Sequence, residues 1–341
     1  MAFEVWATMD PRLALRDVPA HARRAESLGY TGLQVPEAVH DGLLAAALAL
    51  EHTRTLRVAT SVLVAFPRSP MVVAHAAWDL AALSGGRFEL GLGSQVRGNV
   101  EERYGVAWAP PVPRMREYVG ALRAIWRSWQ DGAPLAFAGE HYRLGRMQPF
   151  FAPDPIASGP PRVALGAVGP AMTRLAGEVA DTLVTHPTQA CATLLHARVA
   201  PAVAEGERRA GRAAGACAIV AGGFVATGPD EAAVRAERER IRGYLGFLYS
   251  TPSYAPALAA LGVPELGGEL RALARAGRWA ELPSRIPDEI LDAVAPAACY
   301  PGIADVLRGR LGTVCAGLSF PMPADPAGDE GARAAIAALR A

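Results

Sequence analysis

The sequence predicts an α/β fold, a closed (β/α)8 barrel, and three observations carry that expectation. Short apolar runs alternate with helix-spaced segments eight times along the chain. No polar or Pro/Gly-rich stretch between them is long enough to separate domains, and 341 residues suit one barrel as well as two smaller units. A doubly wound nucleotide fold carries its Gly-rich phosphate turn after the first strand. Here the first apolar run ends in "ATMDP" without glycine, and a turn of that kind follows the fifth run instead.

The first strand is "FEVWAT" (3–8). The helix after it, 18–29, turns Ala20, Arg23, Arg24 and Ser27 outward and stops at Gly29. "TGLQVP" (31–36) and a helix over 41–53 form the second unit. "LRVATSVL" (56–63) is a buried strand, and Pro70 opens the next helix at a position where its missing N–H costs nothing. That helix stops at Ser84-Gly85-Gly86. "RFELGLG" (87–93) precedes a long helix, 114–130. Its apolar residues Met115, Val119, Leu122, Ile125, Trp126 and Trp129 recur at spacings of three and four. Strands at 162–166, 181–185, 216–226 and 315–320 then alternate with helices at 170–179, 188–210, 229–249 and 328–340. Two insertions interrupt the rhythm of a single domain over 1–341. Residues 133–160 contain "LAFAGEHYRL", which alternates around Gly139 as a hairpin does. Residues 250–314 read as mainly helical, broken by Pro and Gly, with no strand.

Composition narrows the chemistry. Hydrophobic residues make up 51% of the chain and the net charge is +1, so nothing favours nucleic acid or an anionic membrane as partner. All 34 basic residues are arginine. The absence of lysine excludes a P-loop lysine, a Schiff base and a lysine general base. Cys191, Cys217, Cys299 and Cys315 have neither zinc spacing nor a disulfide pattern, so no metal is expected. "MAFEVWATMDPR" lacks the layout of a signal peptide, and the longest apolar run, "LLAAALAL" (43–50), is far below the roughly 20 residues of a membrane span. The expected location is cytoplasmic.

In a barrel, function gathers where the strands end. The first offers Thr8, and the third Thr60, Ser61 and Val62, a plain wall suited to the face of a flat ring. Glu37 and His40 follow the second strand, three residues apart. They can move a proton beside a cofactor or form a solvated pair. "LGLGSQVRGN" (90–99) offers Gly91 and Gly93, where something flat can approach the backbone, and the polar Ser94, Gln95 and Asn99. The turn Gly166, Ala167, Val168, Gly169 precedes Pro170 and a helix, which suits an anion or a simple cap. His186 ends the sixth strand and can face the cavity or cap the strand.

"SGGRFELGLGSQ" (84–95) resembles the SGGR-x-x-LGLG segment of luciferase-like monooxygenases. "SPMVVAHAAWDLAALSGGRF", "RMREYVGALRAIW", "GEHYRL", "PPRVALGAVGPAMTRLAGEVADTLVTH" and "STPSYAPAL" fit the same family in order, over almost the whole chain. Within it, "GPAMTRLAGEVAD", "MREYVGALRAIW" and "YSTPSY" are most similar to the coenzyme F420-dependent branch, common in actinobacteria. The resemblance implies a TIM-like barrel with insertions, a reduced flavin (FMN) or deazaflavin (F420) cofactor, a small organic substrate, and a homodimer. It implies a non-proline cis peptide at Ser61–Val62 against the cofactor ring, a phosphate-side contact at Gly166–Gly169, and a place near the ring or tail for Gly93 and Asn99. It leaves Glu37, His40 and His186 as candidate proton donors, and Thr8, Tyr249, Thr251 and Tyr254 as candidate substrate contacts. Two departures count against sugar-phosphate oxidation: Ala38 stands where those relatives carry His, and Val96 where they carry Glu. A hydride-transferring F420-dependent oxidoreductase is the leading expectation. A reduced-FMN monooxygenase and a non-catalytic cofactor-binding relative are the alternatives.

Overall fold

The computed structural model describes residues 3–341. Eight parallel strands run in the order expected of a barrel. They are β1 (Glu4–Thr8), β2 (Gly32–Val35), β3 (Arg57–Thr60, resumed at Leu63–Val64), β4 (Phe88–Gly93), β5 (Arg162–Ala167), β6 (Thr182–Thr185), β7 (Ala218–Ala221) and β8 (Gly317–Ser319). Around the barrel each pairs with its neighbour in sequence, and β1 pairs with β8. Pairing of Val58 with Phe88 and of Ala59 with Glu89, between β3 and β4, completes the closed wall.

Alternation along each strand stacks the inward side chains in layers. At the N-terminal end Arg57 joins Glu4 and Glu89. Above them Trp6 packs with Ala59, Val184 and Val220. Gly32 has no side chain because the Trp6 ring occupies the space a Cβ would need. At the C-terminal end the inward residues are short: Thr8, Ser61, Gly93, Gly166, Gly222 and Ser319, with Gln34 among them. The barrel thus fills from below and stays open above.

The helices cover the outside with the stripes the spacing predicts. In the helix Pro111–Asp131, all six apolar residues expected to face inward are buried. Trp126 and Trp78 are among the largest side chains in this core, each 1% exposed. The hairpin pairs Phe137 with Leu144, and Glu117 tethers it by accepting the N–H groups of Glu140 and His141 at 3.0 and 2.8 Å.

Three expectations need correction. The run 216–226 is not one strand: it leaves the barrel at Gly222, whose Cα approaches the Thr185 carbonyl too closely for a Cβ. A separate short strand, Ala226–Gly228, begins where that run was expected to end and pairs in parallel with Ala297–Cys299, so the segment 250–314 does contain a strand. The helix expected over 188–210 is broken into Ala192–Leu194, a π-turn at Leu195–Val199 and Ala200–Arg209. Pro201 cannot donate to the helical ladder, and the break falls just before it.

The helix Glu231–Tyr249 carries a second core. Ile241, Leu245 and Tyr249 pack there with Leu258, Leu270 and Leu291 of the helical insertion. Its adjoining face presents Glu237, Arg240 and Tyr244 toward the open end of the barrel. No helix among the described residues is long and apolar enough to cross a membrane.

Candidate functional site

A cavity of about 1190 Å³ opens at the C-terminal ends of the strands. One wall is the interruption of β3. The peptide Ser61–Val62 is cis, and the backbone resumes pairing at Leu63. Val62 wedges against β4 and β5. A Cβ on Gly93 would overlap Val62 Cγ2, and one on Gly166 would lie 2.9 Å from Val62 Cγ1. Gly91 is needed for a related reason, because the Thr60 carbonyl lies where its Cβ would be. What approaches these two strand glycines, Gly91 and Gly93, is therefore the protein's own third strand, and the flat-ligand reading of Gly91 gives way to packing.

Glu37 is committed to the same bulge. Its carboxylate accepts the Val64 N–H at 2.7 Å and pairs with Arg68, which also reaches Asp41 at 2.9 Å. The side chain is 7% exposed and does not line the cavity. The half-buried His40 does not line it either. Thr60 is fully buried, its hydroxyl bridging to the Gly91 carbonyl at 2.8 Å and the Gly91 N–H at 2.9 Å. These residues hold the wall in place rather than face the space.

Beyond β4, Gln95 takes a left-handed backbone with φ of 58°. Its side-chain oxygen accepts from Asn99 Nδ2 at 2.9 Å. Gly93, Ser94 and Gln95 line the cavity, while Asn99 props the loop behind them.

The turn Gly166–Gly169 faces the cavity along its whole length. Gly169 is the N-cap of the helix Pro170–Val179, and no side chain caps that helix. Asp41, Ser69 and Asp230 do cap the helices that follow them. The first-turn N–H groups of Ala171 and Met172 stay outside the helical ladder, at the positive end of the dipole. A Cβ on Gly169 would meet nothing within 4 Å. The helix end thus leaves free N–H groups and positive partial charge beside the open space.

On the far wall His186 and Tyr254 stack, ring centroids 4.6 Å apart. Burial pushes the His186 imidazole down to about 4, so it is neutral near neutral pH. Tyr249, by contrast, is fully buried in the second core, and Thr251 does not line the cavity. Of the three candidate contacts near this segment, Tyr254 alone reaches the space.

Gln34 belongs to none of the motifs above. It is 3% exposed on the cavity floor, and its Oε1 accepts from Thr8 Oγ1 at 3.0 Å and Ser319 Oγ at 2.7 Å. Its mark in the sequence is a polar residue in an otherwise apolar buried strand. Phe224, Phe320 and Met322 add apolar wall. The rim carries two closed ion pairs, Arg24 with Asp329 and Arg240 with Glu237.

The sequence matches the luciferase-like monooxygenase family over residues 1–309. An uncharacterised protein of Mycobacterium tuberculosis is 42% identical over 285 residues, 84% of each chain. A second protein of that organism, provisionally named a coenzyme F420-dependent oxidoreductase, is 31% identical over 255 residues, 70% of this chain and 71% of its own. Among solved structures, the coenzyme F420-dependent tetrahydromethanopterin reductase of Methanopyrus kandleri shares the fold with a TM-score of 0.80 at 16% identity. That match covers 100% of this chain and 98% of the other.

Proposed function

The chain belongs to the luciferase-like monooxygenase family, and from that premise we propose that it is a coenzyme F420-dependent oxidoreductase acting on a small organic substrate. One observation carries this reading. The Val62 wedge and the uncapped helix end behind Gly169 border the same cavity, offering a flat apolar wall and an anion receptor to one elongated ligand. A tricyclic ring with a phosphate-bearing tail has that combination of parts. Ser61, Val62 and Gly93–Gln95 would hold the ring, and Gly166–Gly169 with the Ala171 and Met172 amides would take the phosphate. When bound, the deazaflavin supplies or accepts a hydride at C5; the protein orients the two partners and excludes water. The 31% identical relative of matching name supports the choice of cofactor. Exposed Ala38 and half-exposed Val96 offer no acid or base, which supports a substrate other than a sugar phosphate.

Fluorescence titration of the purified protein with F420 and with FMN tests the reading. Saturable F420 binding, with hydride exchange on a substrate panel, is expected. Tight FMN binding without F420 binding overturns it in favour of a reduced-FMN monooxygenase. F420 binding without turnover of any substrate favours a non-catalytic relative.

A further inference from the structure

The floor of the cavity holds more hydrogen-bonding capacity than it spends. Gln34 points inward from β2, above Gly32, where the Trp6 ring fills the barrel. The layer beneath is Trp6 with Ala59, Val184 and Val220, so the amide finds no polar partner below it. Register sets Thr8 beside it on β1, and Ser319 reaches it from β8. The two hydroxyls donate to Gln34 Oε1 at 3.0 and 2.7 Å and use both of its lone pairs. Gln34 Nε2 has no hydrogen-bond partner among the described residues, and it is not sealed inside the protein either. The small exposed part of this residue opens onto the cavity.

An amide and two hydroxyls carry four donor hydrogens, and their two internal bonds consume two of them. The count is the same with the amide turned over: its N–H groups then donate to the hydroxyl oxygens, and the two O–H groups and the amide oxygen are left. Either way the floor offers two donors beside free lone pairs.

No charged side chain of the cavity bonds to this floor. Asp10 accepts the Arg12 N–H at 2.8 Å, Arg24 forks onto Asp329, and Arg240 forks onto Glu237. The imidazoles stay apart as well. His186 Nδ1 lies 2.9 Å from the Thr188 hydroxyl, and His21 Nε2 is buried without a partner, where no ligand can touch it. An anion on the floor would therefore leave water for uncharged donors alone. A hydrocarbon would leave both donors unpaired. An uncharged group with an acceptor oxygen and an N–H escapes both costs.

The geometry points to the floor of Thr8, Gln34 and Ser319 as a binding subsite for an uncharged carboxamide group, with Gln34 setting the preference. An amide carbonyl is a poor hydride acceptor, so this group anchors its ligand, and the reacting atoms lie elsewhere on the same molecule. The inference rests on the oxidoreductase reading for calling that molecule a substrate; the binding itself needs no cofactor.

Ligand-observed NMR titration of the purified protein with benzamide, benzoate and toluene, probes of matched shape, tests the subsite. Benzamide is expected to bind about tenfold more tightly than either of the others, and Gln34→Leu should remove that preference. Gln34→Glu separates recognition from support. At mildly alkaline pH its carboxylate still accepts from Thr8 and Ser319 but presents negative charge to the cavity. It should weaken benzamide about tenfold and bind benzylammonium at least about tenfold more tightly than wild type does. Equal affinities of wild type for the three probes overturn the proposal. So does a Gln34→Glu variant that keeps the wild-type order, which leaves Gln34 as a brace between strands. Benzamide and F420 are expected to bind together, and mutual displacement would give the floor to the cofactor and overturn the substrate assignment. Failure to bind F420 or FMN, with the benzamide preference intact, overturns the cofactor reading instead and leaves the subsite standing.

Discussion

The two ends of the barrel are built from the same eight strands and differ in what points inward. At the N-terminal end the inward side chains are long and spent on one another. Arg57 bridges Glu4 and Glu89, and its guanidinium lies 4.9 Å from the centre of the Trp6 ring. Glu89 is 2% exposed and depends on that bridge. At the C-terminal end they are glycine, serine and threonine, with one glutamine, and the space above them is open. Buried charges must be satisfied within the protein, whereas short polar groups under a cavity keep hydrogen-bonding capacity for a ligand. The closed end therefore consumes its polar groups internally, and the open end is where the proposed site has room to form.

The largest expected effect lies at the closed end. Arg57→Met leaves Glu89 buried with only Arg162, 3.9 Å away, as a counter-charge. A loss of about 3–5 kcal/mol in denaturant unfolding is expected, with cofactor affinity of the folded fraction unchanged. A loss below about 1 kcal/mol would break the comparison.

Acid comes next, and it acts first at the open end. His186 is held at about 4 against an ordinary 6.5, so the unfolded chain binds its proton more readily. The stability it contributes is full above pH 6.5 and is lost as the pH falls toward 4. The unfolding midpoint should drop over that window, and His186→Phe should flatten the drop. His21, lowered by burial and by Arg24, contributes in the same direction and should leave a residual slope.

Gly93→Ala should affect both properties together. Its new methyl must displace Val62, at an expected cost of about 1–3 kcal/mol in stability and a weaker cofactor complex. Gly169→Asp should separate them. The carboxylate fits the open N-cap position and can stabilise the helix by up to about 1 kcal/mol. It also places negative charge in the proposed phosphate receptor, so affinity should fall at least about tenfold while the melting temperature holds or rises. Unchanged affinity would remove the phosphate from that turn. The smallest effect is expected from Ser319→Ala, which frees one lone pair of Gln34 Oε1 and should cost about 0.5–1.5 kcal/mol in thermal unfolding.

Much of this frame could be read along the chain. Strand and helix positions follow from local spacing, and the turn before Pro170 is recognisable because a glycine N-cap and a proline at the first helical position are neighbours in sequence. The fates of Glu37 and Tyr249 could not be read that way. Glu37 follows a strand end, where a cavity-facing role is reasonable, yet Arg68, 31 residues on, draws its carboxylate to the bulge. Tyr249 and Tyr254 are five positions apart, yet one enters the second core and the other the cavity, because the helix ends between them.

The sequence by itself determined the alternation of eight strands with helices, the Gly and Pro stops that bound them, and the glycine turn that opens the helix after the fifth strand. Those are properties of neighbouring residues and of backbone sterics. Only the tertiary structure decided which polar groups are consumed by the wall and which remain free above it. Thr8, Gln34 and Ser319 form one floor although Gln34 and Ser319 are 285 residues apart, and His186 meets Tyr254 across 68. Such partners are chosen by barrel closure and by the path of the helical insertion, and neither leaves a periodic trace in the chain.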